Sequence, residues 1–380
     1  MEAVEKLTTY YRKLAGSDPE GIWFAPGRVN LIGEHTDYND GFVLPFALEQ
    51  RALIAAGHRD DGLIVIHAAD LSETMEVSLS ALAPGQGGWA AYLAGVLWVL
   101  REAGHQVGAV TLALTSDVPL GAGLSSSAAI ESAVMAAVCD LFSLNIAPME
   151  RAQLAQRAEN VYVGAPTGLL DQAASTLCRT GHGLFLDCRT LETIDVPLPL
   201  HDQGFEILVL DTRSPHSHID GEYGERRATC EQAAKILGVR ALRDVTDLDA
   251  ALSRLPDTQM RRRVRHVVSE NERTRTALDL ARKGLLSELP RLLNESHISM
   301  REDYEITVPA VDLAVETALM HGAFGARMTG GGFGGCIIAW CSTGQANRIG
   351  SAIHEAFEKA GFQKPSWFTA TPSGGAGRLR

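Results

Sequence analysis

The sequence lacks the features that mark membrane, secreted and nucleic-acid-binding proteins. Its longest uncharged apolar stretch, near Tyr92–Leu100, is about half the length that a membrane span needs. The first residues, Met1–Leu14, are charged and amphipathic, unlike the apolar core of a secretion signal. A net charge of −12 argues against a general nucleic-acid binder. We therefore expect no membrane segment, no targeting segment at the start and no nucleic-acid partner.

Paired cysteines and a dominant basic surface are also missing. The six cysteines include no Cys-x-x-Cys pair and no spacing typical of zinc sites. Most of them lie in apolar segments, which favours free thiols in a reducing cytoplasm. One basic run, from Arg261 to Arg265, is followed by Glu270 and Glu272, and this charge pattern favours a solvated helix face.

What the sequence does contain fits a folded α+β protein. At 380 residues, with 46% hydrophobic and 21% charged residues, it is long enough for two or three domains and a large core. The first half mixes several strand patterns with few helices and has no regular βαβ alternation, which favours α+β over a doubly wound sheet. A proline-rich link, Val196–Leu200, is the best candidate for a domain boundary.

A glycine- and serine-rich stretch, Pro119–Glu131, connects an apolar strand pattern at Val110–Leu114 to a helical pattern at Ala128–Phe142. Gly121 and Gly123 allow the backbone to curl and leave room for a ligand. The N–H groups of a helix's first turn have no internal partner, and the helix dipole makes that end positive. The stretch therefore predicts an anion site for phosphate, although an ordinary turn with a serine N-cap would have the same composition.

Two better-known nucleotide motifs do not fit this stretch. The chain contains no Gly-Lys pair, which excludes a Walker A loop. Ser126 stands where the third glycine of a dinucleotide fingerprint should be. Any phosphate chemistry here must follow another pattern.

A second stretch, Ala25–Asn39, is dense in polar side chains of different chemistry. We interpret it as a loop that presents binding groups, since loops are where a scaffold places them. The alternative is an irregular connection whose polar groups satisfy one another. The pair His35-x-Asp37 alone offers too few ligands to predict a metal site. The polar residues of the stretch are Arg28, Asn30, Glu34, His35, Asp37 and Asn39.

Two further features lie later in the chain. Gly330–Gly335 has five glycines in six residues and leads into the strand pattern Cys336–Trp340, whereas a dinucleotide site would lead into a helix. We expect the glycines to permit a close backbone approach to a ligand or another loop. Asp171 begins the helical pattern Gln172–Leu177, where a carboxylate often serves only as a cap.

Three glycine-containing motifs, in this order, resemble those of the GHMP family of small-molecule kinases. Gly27–Tyr38 is similar to the signature of its galactokinase branch, Pro119–Ala129 to the family's phosphate-binding loop, and Gly330–Gly335 to its third motif. The resemblance implies a two-domain α+β fold with the active site between the domains. It places a domain similar to domain 2 of ribosomal protein S5 at residues 1–195. A ferredoxin-like α/β sandwich, the C-terminal GHMP kinase domain, would follow at residues 196–380.

The resemblance also implies a reaction. The γ-phosphate of ATP would pass to the anomeric O1 hydroxyl of α-D-galactose, giving galactose 1-phosphate and ADP in the Leloir pathway of galactose metabolism. Asp171 would accept the hydroxyl proton, with Arg28 beside it. Mg²⁺ would be the cofactor, bound by Ser127 and Glu159.

The resemblance assigns two sets of binding residues. The sugar would be bound by Glu34, His35, Thr36, Asp37, Gly168 and Tyr223. The phosphates of ATP would be bound by Gly121, Ala122, Gly123, Leu124, Ser125, Ser126 and Ser127. Galactose and ATP are then the partners, and we expect a cytoplasmic monomer without nucleic-acid or membrane partners.

Departures from the family's pattern are small. Thr167 stands where many relatives have Cys, and Leu169-Leu170 replace an Ile-Met pair, changes that are conservative for packing. A polar segment with His216 and His218 is less recognisable, and we expect a solvated loop there. Two alternatives stay open: a kinase for a related sugar such as N-acetylgalactosamine or arabinose, and a non-catalytic sensor of galactose and ATP.

Overall fold

The computed structural model describes residues 2–214 and 219–379, so His216 and His218 lie outside the described residues. Within these ranges the α-helices are α1 (Glu2–Ala15), α2 (Ala91–Glu102), α3 (Ser126–Leu141), α4 (Pro148–Arg157), α5 (Leu170–Leu177), α6 (Ile219–Leu237), α7 (Leu248–Arg254), α8 (Thr258–Arg282), α9 (Leu289–Ser299), α10 (Pro309–Met320) and α11 (Ala346–Ala360). The strands are β1 (Gly21–Asn30), β2 (Phe42–Val43), β3 (Pro45–Arg59), β4 (Leu63–Ala68), β5 (Glu73–Ser78), β6 (Ala109–Ser116), β7 (His182–Asp187), β8 (Thr193–Pro197), β9 (Phe205–Asp211), β10 (Gly325–Thr329), β11 (Cys336–Ser342), β12 (Ser366–Ala370) and β13 (Gly377–Arg378).

Two sheets belong mainly to the first half of the chain. The larger has the strand order β13-β1-β3-β6-β4-β5, and its neighbours pair antiparallel except for β4 and β6, which are parallel. The smaller has the order β2-β7-β8 and is antiparallel. Helix α3 packs on β1 and β3. Because antiparallel pairing dominates, the predicted α+β class is confirmed.

The second half forms one antiparallel sheet with the order β10-β11-β9-β12. Along the chain, helices α6 to α10 separate β9 from β10, and α11 separates β11 from β12. This βαββαβ sequence with antiparallel pairing is the ferredoxin-like arrangement that the motifs implied.

The predicted division of the chain at residue 195 falls inside β8, and it stays a prediction. At the other end of the chain, β13 returns to the first sheet, where Arg378 lies opposite Trp23 of β1. The last described residues therefore pack with the first half rather than with the sheet that precedes them.

Strand β1 extends into the stretch that we interpreted as a loop. Arg28 and Asn30, which we expected in a loop, pair with Ala47 and Pro45 of β3. The ladder between β1 and β3 shifts register between Pro26 and Arg28. Pro26 has no backbone N–H to donate to this ladder. The register shift interrupts the alternation of side chains, so the sequence pattern does not predict the whole strand. Because Arg28 belongs to β1, it lies on a rigid element.

Two helices, α4 and α9, continue at their ends as π-helical turns. The pattern from Pro148 is α-helical to Arg157 and then widens into a π-helical turn, Ala158–Val163. Helix α9 likewise continues as a π-helical turn, Met300–Tyr304. Such turns are often found at functional sites. Here they carry Glu159 and Tyr304.

The solvated face expected for the basic run is wrong for Arg263 and for Glu270, which are both buried in α8. This long helix packs against α6, α7 and α9 and also touches β2 and β8, so it is covered by other elements on more than one side. Arg263 is compensated by Glu305 (Nη2 to Oε2, 2.6 Å). Arg265 is exposed, as expected.

No helix among residues 2–214 and 219–379 is long and apolar enough to cross a membrane. All six cysteines are free, and all but Cys188 are buried.

Candidate active site

The glycine- and serine-rich stretch forms a tight loop between β6 and α3. Gly121 and Gly123 adopt positive φ angles of 70° and 74°, and Ser125, at the N-cap of α3, has a φ of 62°. Arg28 holds this strained loop: its Nη1 donates to the Gly123 carbonyl (2.6 Å), and its backbone N–H donates to the Leu124 carbonyl (3.1 Å). The loop is therefore anchored to β1, the strand that carries the other polar motif.

This loop borders a cavity of about 440 Å³, which we call the loop cavity. A Cβ atom on Gly330 would lie 2.7 Å from the Gly123 carbonyl oxygen, so the glycine run passes close to the loop. The predicted close backbone approach is thereby confirmed. Ala122 is buried beside the cavity. The lining includes Gly121, Gly123, Leu124, Ser125, Ser126, Ser127, Glu159, Thr167, Asp171, Gly331 and Gly332.

A second cavity of about 150 Å³, which we call the small cavity, adjoins the first. Five of the six residues expected to bind sugar line it: Glu34, His35, Asp37, Gly168 and Tyr223. The sixth, Thr36, is buried, and its hydroxyl hydrogen-bonds the carbonyls of Gly33 (2.8 Å) and Phe42 (2.7 Å). Thr36 therefore shapes the turn.

Asp171 lies where the two cavities meet. It lines both of them, as do Arg28 and Thr167. Its Oδ1 accepts from Arg28 Nε (2.8 Å), and its Oδ2 accepts from the Ser125 hydroxyl (2.5 Å). The N-cap of α5 is Leu169, so Asp171 is not the cap considered from its sequence position. One carboxylate thus contacts the anion loop and faces the small cavity.

Glu159 lies against the start of α3. Its carboxylate accepts hydrogen bonds from Thr167 Oγ1 (2.8 Å), from Gln172 Nε2 (2.7 Å) and from the Ser127 hydroxyl. Burial raises the pKa of Glu159, and the charge of Asp171 adds to this, while the hydrogen bonds oppose it. Thr167 is therefore more than a packing replacement, because its hydroxyl orients this carboxylate.

Gln172 extends this network to a residue that the sequence reading missed. Its Nε2 also donates to Glu131 Oε2 (3.0 Å), a fully buried carboxyl on α3. Burial and the nearby Glu159 raise the pKa of Glu131 well above its usual range. Glu131 ended the serine-rich stretch in the sequence, but no spacing rule distinguishes it from a solvated helix residue.

Glu34 is held from three sides. Its Oε1 accepts from the Gly330 N–H (2.8 Å) and pairs with Arg327 Nη2 (3.1 Å), and its Oε2 accepts from Asn30 Nδ2 (3.0 Å). Arg327 is buried in β10 and was not singled out in the sequence. These contacts fix the Glu34 carboxylate at the wall of the small cavity.

His35 has a positive φ of 60° and is buried. Its Nε2 lies 3.1 Å from the Gly331 carbonyl oxygen and its Nδ1 lies 2.7 Å from the Tyr38 hydroxyl. Burial, followed by the nearby His266, lowers the pKa of His35 to about 3, so the ring is neutral. A carbonyl can only accept, so Nε2 carries the hydrogen and Nδ1 accepts from Tyr38.

Asp37 faces the small cavity beside Gly168, where any side chain would collide with its carboxylate. Burial, and then the charge of Asp171, raise the pKa of Asp37 to about 6. Tyr223, from α6, packs its ring 5.1 Å from that of His35, centroid to centroid. Residues of both halves of the chain therefore enclose this cavity.

No group of three or more His, Cys, Asp or Glu residues in the described part of the chain could hold a metal ion. The pair His35 and Asp37 gains no third ligand of these types there. Ser127 and Glu159 instead offer one hydroxyl and one carboxylate oxygen at the loop cavity.

An anion-binding loop, a small cavity with several polar side chains and a carboxylate between them, in this two-part α+β fold, define a kinase that acts on small molecules. Family models described as the N-terminal and C-terminal domains of GHMP kinases match residues 91–179 and 277–359. A model described as the galactokinase galactose-binding signature matches residues 9–58. The chain belongs to the galactokinase family.

Individual relatives agree with this assignment. The galactokinase of Streptomyces coelicolor is 52% identical over 374 residues, which is 97% of each chain. That of Mycobacterium tuberculosis is 44% identical over 361 residues, 94% of this chain and 98% of the relative. The crystal structure of Lactococcus lactis galactokinase complexed with galactose superimposes with a TM-score of 0.95 at 33% identity, covering 99% of this chain and 100% of that one.

Proposed function

We propose that this protein transfers the γ-phosphate of ATP to the O1 hydroxyl of α-D-galactose, releasing galactose 1-phosphate and ADP. The observation that carries the proposal is the position of Asp171, which lines both the small cavity and the loop cavity. A sugar hydroxyl in one cavity and a phosphate in the other would meet at this carboxylate. The membership in the galactokinase family supplies the identity of the two substrates.

Asp171 is the base in this proposal. Arg28 Nε and Ser125 Oγ each donate to it, which fixes its orientation and leaves other lone pairs for a substrate hydroxyl. A positioned general base contributes roughly 10²–10⁴-fold to the rate. The guanidinium of Arg28 also borders the loop cavity, where it can stabilise charge on the transferring phosphate.

Glu34, His35, Asp37 and Tyr223 would bind the sugar together with the backbone at Gly168. The Glu34 carboxylate is fixed by donors from both halves of the chain, so its direction is set before a ligand arrives. Sugar hydroxyls need such convergent donors and acceptors, and buried partners left unpaired discriminate strongly against the wrong epimer.

The loop from Gly121 to Ser127 would hold the ATP phosphates. Its glycine N–H groups and the positive end of α3 suit an anion, and Ser126 Oγ is a buried hydroxyl without a hydrogen-bond partner among the described residues. We assign Ser127 and Glu159 to Mg²⁺, because they offer the oxygen donors that this ion prefers. Bound Mg²⁺ would offset charge on the transferring phosphate.

The fit of these two residues to a cation follows from their surroundings. Burial raises the pKa of Glu159, which means that its negative charge is undercompensated in the protein alone. Mg²⁺ is commonly held by one or two protein carboxylates and substrate phosphates, so a cluster of three acidic residues is not required.

We further propose a cytoplasmic monomer, because the enzyme consumes ATP and both cavities are enclosed by residues of one chain. Light scattering after gel filtration measures the mass of the particle. A stable dimer would contradict the monomer without affecting the reaction.

A coupled assay of ADP release tests the function. Purified protein is incubated with ATP and Mg²⁺ and with galactose, N-acetylgalactosamine, arabinose or no sugar. We expect ADP release with galactose at a kcat/KM well above that for the other sugars. A higher value for N-acetylgalactosamine or arabinose would reassign the substrate. Galactose binding without ADP release would instead identify a sensor.

A further inference from the structure

The backbone of Gly33 and Glu34, at the wall of the small cavity, is held by a helix more than 200 residues away in the sequence. Glu270 of α8 accepts hydrogen bonds at Oε1 from the Gly33 N–H (3.0 Å) and the Glu34 N–H (3.3 Å). Gly33 has a φ of 101°, and a Cβ atom there would lie 2.5 Å from the Phe42 carbonyl oxygen. The two N–H groups therefore form a small anion-binding concavity that is filled by a side chain.

The carbonyl of the same peptide segment is held one helical turn earlier. His266 Nε2 lies 3.1 Å from the Glu34 carbonyl oxygen, and its Nδ1 lies 3.0 Å from the Ser299 hydroxyl. The carbonyl only accepts, so Nε2 carries the hydrogen. Two residues on one face of α8 thus hydrogen-bond the backbone of Glu34, one at its N–H and one at its C=O.

Glu270 is itself fixed in place. It is fully buried, its Oε1 accepts from Ser296 Oγ (2.7 Å), and its Oε2 accepts from Arg273 Nε (2.7 Å). Burial alone would raise its pKa, but the charges of Arg273, His266 and Arg327 hold the pKa of Glu270 at about 2. The group is an ionised carboxylate, which can only accept, so its contacts with the two N–H groups are unambiguous.

The function proposed above does not use this arrangement. Glu270 lines neither the small cavity nor the loop cavity, and it contacts Glu34 only through the backbone. The Glu34 side chain has its own partners, yet its reach into the cavity depends on where its Cα lies. A displacement of about 1 Å in such a residue can cost a hundredfold in function.

We propose that Glu270, assisted by His266, is a positioning residue for sugar recognition: α8 serves as the platform that sets the backbone of Glu34 at the small cavity. The expected effect on the KM for galactose rests on the proposed function. The hydrogen bonds from α8 to the backbone of Gly33 and Glu34 do not depend on it. Loss of the Glu270 carboxylate should weaken sugar binding and leave ATP binding and the chemical step nearly intact.

The test compares Glu270→Met, which has similar length but no charge and no acceptor oxygen, with Glu270→Gln, which keeps one acceptor oxygen. We expect the KM for galactose to rise about 10- to 100-fold in Glu270→Met, and less in Glu270→Gln. The KM for ATP and the kcat at saturating galactose should change less than about threefold. Thr276→Val, on the same helix, is the control, because its hydroxyl makes the same kind of bond at the exposed surface of the helix, to the Glu272 backbone carbonyl (2.9 Å).

A second readout does not depend on the enzyme's activity. Hydrogen exchange followed by mass spectrometry should show faster exchange in the peptide around Gly33 and Glu34 in both Glu270 variants, and unchanged exchange around Ser125–Ser127. If Glu270→Met does not fold, Glu270→Gln and His266→Phe decide by the same measurements. Uniformly faster exchange, or a fall in kcat with an unchanged KM for galactose, would overturn the positioning role.

The two proposals can fail separately. A wild-type protein that releases no ADP with galactose would refute the proposed function, and hydrogen exchange would still decide whether α8 holds the turn. An active wild-type protein whose Glu270 variants keep the wild-type KM for galactose and the wild-type exchange would refute the platform alone.

Discussion

The small cavity and the loop cavity share Asp171 but differ in what forms their walls. The small one presents several charged side chains, among them Glu34, Asp37 and Arg28, in a wall that also has apolar residues. The wall of the loop cavity includes six glycines and three serines. The first arrangement can distinguish the hydroxyl pattern of one sugar from another, whereas the second suits a phosphate chain that many ligands share.

The two walls are also stabilised differently. The loop takes its shape from local backbone geometry, with positive φ angles at Gly121, Gly123 and Ser125, and Arg28 of β1 anchors it. The small cavity depends on partners from distant parts of the chain, since Arg327 and Glu270 hold the Glu34 segment. Substitutions near the small cavity should therefore act on sugar affinity, and those at the loop on nucleotide and metal.

The largest effect is expected where the cavities meet. Asp171→Asn keeps a side chain of the same shape but cannot accept the hydroxyl proton, so kcat should fall by roughly 10²–10⁴-fold. The Kd for galactose, measured by calorimetry, should change only a few-fold. Asp257→Asn is the control, because Asp257 is an exposed N-cap on α8 that accepts from the Met260 N–H. A wild-type kcat for Asp171→Asn would refute the base assignment.

The next effect should be confined to the loop cavity. Ser127→Ala removes a hydroxyl and Glu159→Ala removes a carboxylate, so the Mg²⁺ concentration that gives half-maximal activity should rise about 10- to 100-fold in each. The KM for galactose should stay near the wild-type value, in contrast to the Glu270 variants.

Ser132→Ala serves as the control for these two variants. Ser132 lies on the same helix as Ser127, is buried, and bonds the Thr176 hydroxyl away from both cavities (3.4 Å). An unchanged Mg²⁺ dependence in both Ser127→Ala and Glu159→Ala would contradict the metal assignment.

The same difference explains what the sequence could and could not predict. The serine-rich loop is recognisable because glycine spacing and a following helix determine its geometry locally. The contact between Arg28 and Asp171 joins residues 143 positions apart, and only the family resemblance placed them together. Glu270 carried no signal at all, because a buried ionised carboxylate within a charged helix has the same local pattern as a solvated one. The roles of the individual site residues stay predictions until they are tested.

A smaller effect should appear as a pH dependence of the small cavity alone. The pKa of Asp37 is raised to about 6, first by burial and then by the charge of Asp171. Its ionised form is the better acceptor for sugar hydroxyls, so galactose affinity should fall by up to about tenfold per pH unit below pH 6. Calorimetry between pH 5 and pH 8, without nucleotide, measures this.

Two variants sharpen the assignment of that pH dependence. Asp37→Asn should bind galactose weakly and independently of pH. Asp171→Asn removes the neighbouring charge, which lowers the pKa of Asp37 and moves the transition to lower pH. His35 cannot produce the same transition, because its pKa of about 3 keeps it neutral throughout the range. A transition that persists in Asp37→Asn would assign the titration to another group.

The smallest catalytic effect is expected where Arg189 connects the two halves of the chain. Arg189 donates from Nη1 and Nη2 to the Asp244 carboxylate (2.6 and 2.8 Å) and from Nε to Asp40 (3.1 Å). Arg189→Gln removes these charge-assisted bonds, so the free energy of unfolding should fall by about 1–3 kcal/mol. The KM for galactose should rise less than about threefold, because Arg243 still donates to the Asp40 carbonyl (2.9 Å).

Urea unfolding compares the stability contributed by the Arg189 contacts with that of an ordinary surface ion pair, by means of Arg189→Gln and Arg179→Gln. Arg179 pairs with Asp195 at 2.9 Å, but its side chain is 69% exposed, so its loss should barely move the midpoint. Equal unfolding midpoints for the two variants would mean that the Arg189 contacts add no more to stability than a surface ion pair does. A large rise in the KM for galactose in Arg189→Gln would mean that sugar affinity also depends on the Arg189 contacts. In that case α8 would not be the main support of the small cavity.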